Sequence, residues 1–170
     1  MVKGLTQTSA VVSIGFKATE TAANTFTQAS VDLNLSPLDN EVFVVLGINL
    51  DPSTPDSVAG LDTRVSTSLT TTSQTAVQDL SNSNCLAASA NLIKAAGFID
   101  SGVGFQTLGS ETPPATLDFI GIIATNDFFV QISGTGNLVA KEVPGKMYGY
   151  RARASSSIFS ALVQSEVLSA

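Results

Sequence analysis

Few side chains in this sequence are able to do covalent or metal chemistry, and their spacing narrows the field further. Cys85 is the one thiol, and no histidine occurs among the 170 residues to take its proton. Its place among Ala88, Leu92, Ile93 and Ala96 predicts a buried, inert thiol. Histidine-based triads, Cys–His dyads, His-ligated metals, zinc sites of the Cys₄ or Cys₂His₂ kind and an intrachain disulfide are all excluded. Asp51, Asp56 and Asp62 supply the hard oxygens that Ca²⁺ prefers, but their spacing matches no EF-hand loop, and a solvated loop is the better reading. Asp118 and Asp127 flank an expected hairpin as a potential carboxylate pair; exposed strand-end acids are the commoner origin of such a pattern. Gly134-Thr135-Gly136 precedes a strand where a dinucleotide loop needs a helix, so it reads as a turn. The sequon Asn34-Leu35-Ser36 runs into Pro37 behind no visible export signal and is discounted. No cofactor, metal or catalytic residue is expected, and the chain does not read as an enzyme.

The one concentration of chemistry is electrostatic. Lys141, Lys146, Arg151 and Arg153 are half of the eight cations, within thirteen positions of a chain with net charge −6. On a strand, Arg151 and Arg153 would share one face, with Tyr148 and Tyr150 on the other. The functional reading is contact with an acidic neighbour or with nucleic acid; the plain one is a solvated strand face. Neither end carries a basic arm, so nucleic-acid contact is expected to be weak or indirect.

Mostly strands must position these residues, because the dominant pattern has period two. Ser9–Lys17 sets Val12, Ile14 and Phe16 on one face. Thr25–Leu35 sets Ala29, Val31, Leu33 and Leu35 against Gln28, Ser30, Asp32 and Asn34. Glu41–Leu50 is apolar on both faces and reads as a central strand with Val44 or Leu46 in the core. Asp62–Thr72 alternates again, rich in threonine. Between these, the proline-bearing loop 51–56 resists helix. Cys85, Ala88, Leu92, Ile93 and Ala96 then recur at helical spacing, which predicts a helix at 84–96 closed by a left-handed Gly97. Further strands follow at Val103–Leu108, Leu117–Ala124, Phe128–Ser133, Asn137–Val143 and Lys146–Ala154. Short turns at 125–127, 134–136 and Pro144-Gly145 predict antiparallel neighbours. Ser156–Leu168 fits a helix or a strand; its Ala, Leu, Gln and Glu favour helix. The fold class expected is mainly β. It is an antiparallel, jelly-roll-like β-sandwich of about eight strands in a single domain, with one inserted helix near 84–96 and a possible C-terminal helix.

Composition bears on partners. Only 13% of residues are charged, about half the usual share, while Ser (21) and Thr (18) are abundant. Such surfaces lose little side-chain entropy on contact and suit wide, permanent interfaces. No apolar run approaches a membrane span. In length, in Ser/Thr-rich alternating strands and in lacking catalytic residues, the whole chain resembles virion structural proteins, the small β-sandwich coat subunits. The resemblance implies a self-assembling capsid shell or shell-associated subunit, located in the virion. Its partners would be many copies of itself, with other virion proteins as further candidates. The missing basic arm departs from coats that package RNA or single-stranded DNA. A cellular filament or surface-layer subunit, or a lectin-like or adhesive binding module, would share the composition. Residues 155–170 are expected to be an arm or a cap. Ile158, Phe159, Leu162, Val163 and Val167 are expected to dock on a neighbouring subunit as an arm, with a cap over the chain's own sandwich as the alternative.

Overall fold

The computed structural model describes residues 3–107, 110–111 and 116–170. Among these lie eleven strands and one α-helix: β1 (Leu5–Gln7), β2 (Val12–Thr19), β3 (Thr27–Asp32), β4 (Glu41–Leu50), β5 (Thr63–Thr70), β6 (Cys85–Lys94), β7 (Val103–Thr107), β8 (Ser110–Glu111), β9 (Gly121–Ile123), β10 (Asp127–Thr135), β11 (Glu142–Ala154) and α1 (Ser156–Leu168).

The strands form two antiparallel sheets. In the first, β11 pairs with β1 and β2 on one side and with β4 on the other, and β4 carries β8 and β9. The second runs β3-β10-β5-β6-β7. The pairing is nested: β2 with β11, β3 with β10, β4 with β9, β5 with β6. A long antiparallel hairpin is in effect folded over, and the contacts β4–β11 and β5–β10 close it into a jelly-roll-like sandwich.

Between the sheets, Phe43, Val45, Ile48, Val65, Leu69, Phe128, Val130, Ile132, Val143 and Met147 form the main core. Phe128 meets Phe16 edge to face, with ring centroids 5.6 Å apart. The outer face of the first sheet has its own cluster, in which Leu5, Val42, Val44, Ala152 and Ala154 are covered by Ile158, Phe159, Leu162 and Val163 of α1. This explains why β4 is apolar on both sides. The register of β4 against β11 slips at one point, pairing Val45 with Gly149 but Gly47 with Tyr148, so Leu46 is a bulge. The bulge brings Ile48 and Leu50 onto the face of Phe43 and Val45. Val44 is fully buried, as expected, whereas Leu46 is only half-buried.

The outer face of the second sheet is polar. Fully buried Gln131 donates to Gln28 Oε1 (2.9 Å) and Thr70 Oγ1 (2.7 Å) and accepts from Ser68 Oγ (2.7 Å). The backbone N–H groups of Gln74 and Gln78 close over this network. A satisfied buried network of this kind pins register at a site that apolar packing does not reach.

Several expectations need correction. The helix expected at 84–96 is strand β6, flanked by ladders to β5 and β7. Its alanines suit either period, and both faces are covered near its start (Cys85, Ala87 and Ala90 are buried), so no alternation marks it. Helix propensity is a weak prior, and the paired edges on both sides override it. Gly97 does take a left-handed φ of 87°, but in the turn between β6 and β7. The turns at 125–127 and 134–136 do not join neighbours. β9 lies in the first sheet, β10 in the second and β11 in the first, so each connection crosses the sandwich. Residues expected as strand Asn137–Val143 are loop up to 141. Leu117–Ala124 contributes only β9, and Leu108 lies outside the described residues.

Pro144-Gly145 is not a turn but part of continuous β11. The β4 ladder ends at Gly145, so the missing proline N–H leaves no gap there. A Cβ on Gly145 would stand 2.6 Å from the Asn49 carbonyl oxygen and from the Phe16 ring, so glycine serves close approach. Gly149 is more constrained still, because a Cβ there would overlap the Val44 carbonyl and the Phe43 ring. Gly149→Ala is expected to cost about 1–3 kcal/mol by overpacking. A denaturation midpoint equal to wild type would show that the two central strands separate freely at the bulge.

Candidate assembly interface

The structure disperses the cationic group. Lys141 is buried and pairs with Asp56 at 2.7 Å. That contact is the main force lowering the Asp56 pKa, helped by N–H donation from Leu138 and Val139. Arg151 reaches Glu41 at 3.3 Å and donates to the carbonyls of Leu33 and Asn34. Arg153 lies 3.5 Å from Asp39 at the surface. Lys146 is exposed beside Asn49 and Asp51. Arg151 and Arg153 do share a face, opposite Tyr150, but three of the four cations are paired with the chain's own acids. What they do chemically is tie loops 33–41 and 56 to β11 and to the loop before it.

The acids are likewise engaged. Asp62 accepts the N–H groups of Ala95 and Ala96, both at 2.9 Å, and meets Lys94 at 3.2 Å. Among the described residues no three acids or thiols gather as metal ligands. Asp127 sits across the ladder from Asp32 and near Ser30, while Asp118 is an exposed loop residue. Cys85 is buried, its Sγ 3.3 Å from the Ala87 carbonyl.

Of the five tail residues, Ile158, Phe159, Leu162 and Val163 pack on the chain's own first sheet, and Val167 is 58% exposed. Glu166 locks the far end of α1: its carboxylate accepts from Ala124 N–H (2.8 Å) and Thr125 N–H (3.2 Å), and its carbonyl accepts from Asn84 (3.1 Å). Burial pushes its pKa up, against the lowering effect of those bonds. Sequence reasoning missed this residue as a site, although it is the single charge in the last fifteen positions. Glu20 was missed as well. It is buried and accepts the backbone N–H groups of Thr25, Gly134 and Lys141, and nothing in its sequence surroundings signals that.

One surface is unlike the rest. β7 is an outer strand of the second sheet, and all five of its residues are exposed. Val103 and Phe105 flank Leu92 of β6 on one face, and Phe98 and Ile99 protrude from the preceding turn. Asp100 is the only charged residue from 95 to 107. Outer strands are ordinarily protected by charge, proline or a bulge; VGFQT has no charge and no proline. Beside it opens a groove of about 400 Å³, floored by Ser66, Ala88 and Ala90 and walled by Val77 and Leu80.

Asp62 holds the turn that presents this edge. Its pKa is lowered, chiefly by the Ala96 and Ala95 N–H bonds and then by Lys94. A lowered carboxylate pKa means that the turn is supported above the ordinary value of 3.8 and released as pH falls through the lower folded value. The amide resonances of Ala95 and Ala96 should therefore titrate with a midpoint below 3.8. A midpoint at or above it would show that the carboxylate does not hold the turn.

Among the described residues, no helix is long and apolar enough to cross a membrane. No family model and no curated protein matches this chain.

Proposed function

We propose that the chain is a structural, self-assembling coat or capsid subunit. The observation that carries the reading is the exposed outer strand β7, which has no charged residue of its own, with Phe98, Ile99 and Leu92 beside it, on a jelly-roll-like sandwich in which five of the eight cations pair with the chain's own acids. Shells built from such sandwiches need broad contacts between copies rather than a catalytic cleft. Fold alone does not assign a function, so the weight rests on the surface. In this proposal the partners are further copies of the chain, with other virion proteins as possible neighbours. Because Lys141 and Arg151 are held by the chain's own acids, genome contact is left to exposed cations such as Lys146 and Arg64 or to another layer.

Light scattering over a wide dilution series, with electron microscopy of the same samples, tests the reading. Discrete closed shells are the expected result. Fibres or planar lattices would favour a filament or surface-layer subunit. A stable 17.5 kDa monomer at every concentration would overturn the assembly reading. A lectin-like or adhesive module is the second reading, favoured by the groove beside β7. It predicts a monomer that binds a glycan array, with binding lost on Leu80→Asp.

A further inference from the structure

We propose that β7 pairs antiparallel with β7 of a second copy about a twofold axis through Phe105, joining two five-stranded sheets into one. This rests on the assembly reading above and names the contact and its geometry.

The occupant follows from what the edge offers. A sheet edge presents backbone N–H and C=O groups whose natural complement is another strand. The side chains of β7 suit β7 itself. A twofold through Phe105 sets Phe105 against Phe105, Gly104 against Gln106, and Val103 against Thr107. That gives an aromatic pair at the centre and β-branched pairs at both ends, the combinations that stabilise cross-strand contacts. Phe105 and Val103 are about half exposed in the single chain, at 55% and 49%, so both have surface left to bury.

Charge points to the same partner. With a net charge of −6, copies repel one another over most orientations. The segment 101–107 has no ionised residue, so like-charge repulsion between copies is least along this edge, where Lys94, across the ladder from Val103, is already held by Asp62 at 3.2 Å. The opposite edge of the second sheet is a poorer choice. β3 ends in Asp32, and the hydroxyl of its Thr27 accepts the Thr21 N–H just beyond β2. On the first sheet, β2 carries Lys17, which is bound to Glu142 at 2.6 Å.

Five paired residues a side bury less than the roughly 1,200 Å² of a lasting complex. Phe98 and Ile99 enlarge the contact but leave it a weak joint. Weak joints suit a shell, where each subunit is held by several at once.

The experiment uses the full chain with Phe105→Cys, compared with Leu38→Cys, which is 95% exposed and remote from β7. Facing residues of an antiparallel pair lie about 4.5–5.5 Å apart, within disulfide reach. Cys85 is buried and present in both proteins. Under mild oxidation the expected result is a 105–105 cross-linked dimer, identified by mass spectrometry, forming at least about tenfold faster than any dimer through position 38. Phe105→Lys should weaken dimerisation by a similar factor in sedimentation while leaving the melting point unchanged. Equal cross-linking at 105 and 38, or unchanged association of Phe105→Lys, overturns the pairing. If wild-type shells still form in that case, the assembly reading stands without it. If position 105 cross-links in a protein that never exceeds a dimer, the pairing stands and the shell reading fails.

Discussion

Phe128→Ala should cost about 3–5 kcal/mol, among the largest losses expected from a single truncation of a described residue. Phe128 is fully buried on β10 and lies between the sheets. Its removal withdraws a large apolar surface from the core and leaves a cavity whose walls are strands paired on both sides. β10 is held by β3 and β5 across thirteen register positions, so the backbone has little freedom to collapse into the space. The edge-to-face contact with Phe16 is lost as well, a further ~0.5–1.5 kcal/mol. Chemical denaturation should show a much lower midpoint at an unchanged slope. A loss below about 1 kcal/mol would mean that the two sheets pack loosely and that the core lies elsewhere. Phe129, its neighbour on the opposite face and only half-buried, should tolerate the same change far better.

Glu166 carries the second large effect. Glu166→Ala removes the acceptor of two backbone N–H groups, those of Ala124 and Thr125. Each buried donor left without a partner costs about 1–3 kcal/mol. The loss should appear first as detachment of α1, seen as rising amide exchange in 156–168 before the sandwich melts. Unchanged exchange in that segment would show that the apolar contacts of Ile158, Phe159, Leu162 and Val163 hold the helix alone. The pH dependence has a definite sign. Burial raises the Glu166 pKa above its ordinary 4.5, so the folded chain binds this proton more tightly than the unfolded chain does. The associated stability is complete below 4.5 and is lost as pH rises through the higher folded value. Thr71, whose buried hydroxyl has no hydrogen-bond partner among the described residues, lines the same cavity of about 200 Å³ as Glu166. Glu166→Gln should flatten the pH profile of helix exchange. A profile identical to wild type would assign the titration to another group.

Strand character was readable where one face is wet and where a short run is apolar on both faces. Along Thr25–Leu35, Ala29, Val31, Leu33 and Leu35 line up on the core side, and β4 spans the expected Glu41–Leu50. Composition alone likewise excludes histidine-based chemistry, zinc sites of the Cys₄ or Cys₂His₂ kind and an intrachain disulfide. The C-terminal segment, open between helix and strand by pattern, is helical because α1 buries one apolar stripe on the first sheet. Tertiary structure decided the remainder. The alanine-rich segment 85–94 became a strand because β5 and β7 flank it, a circumstance absent from its local pattern. Short turns became crossings between sheets because turn residues specify a change of direction and not the partner of the next strand. The basic cluster dissolved because Asp56, Glu41 and Asp39 arrive from distant positions and neutralise it. Glu166 and β7 acquired their importance the same way, one by burial against residues 84 and 124–125, the other by being left at an edge. Local sequence carries period, turn chemistry and charge. Which strand lies beside which, and so which groups are buried, paired or left open to a partner, is a property of contacts far apart in the chain.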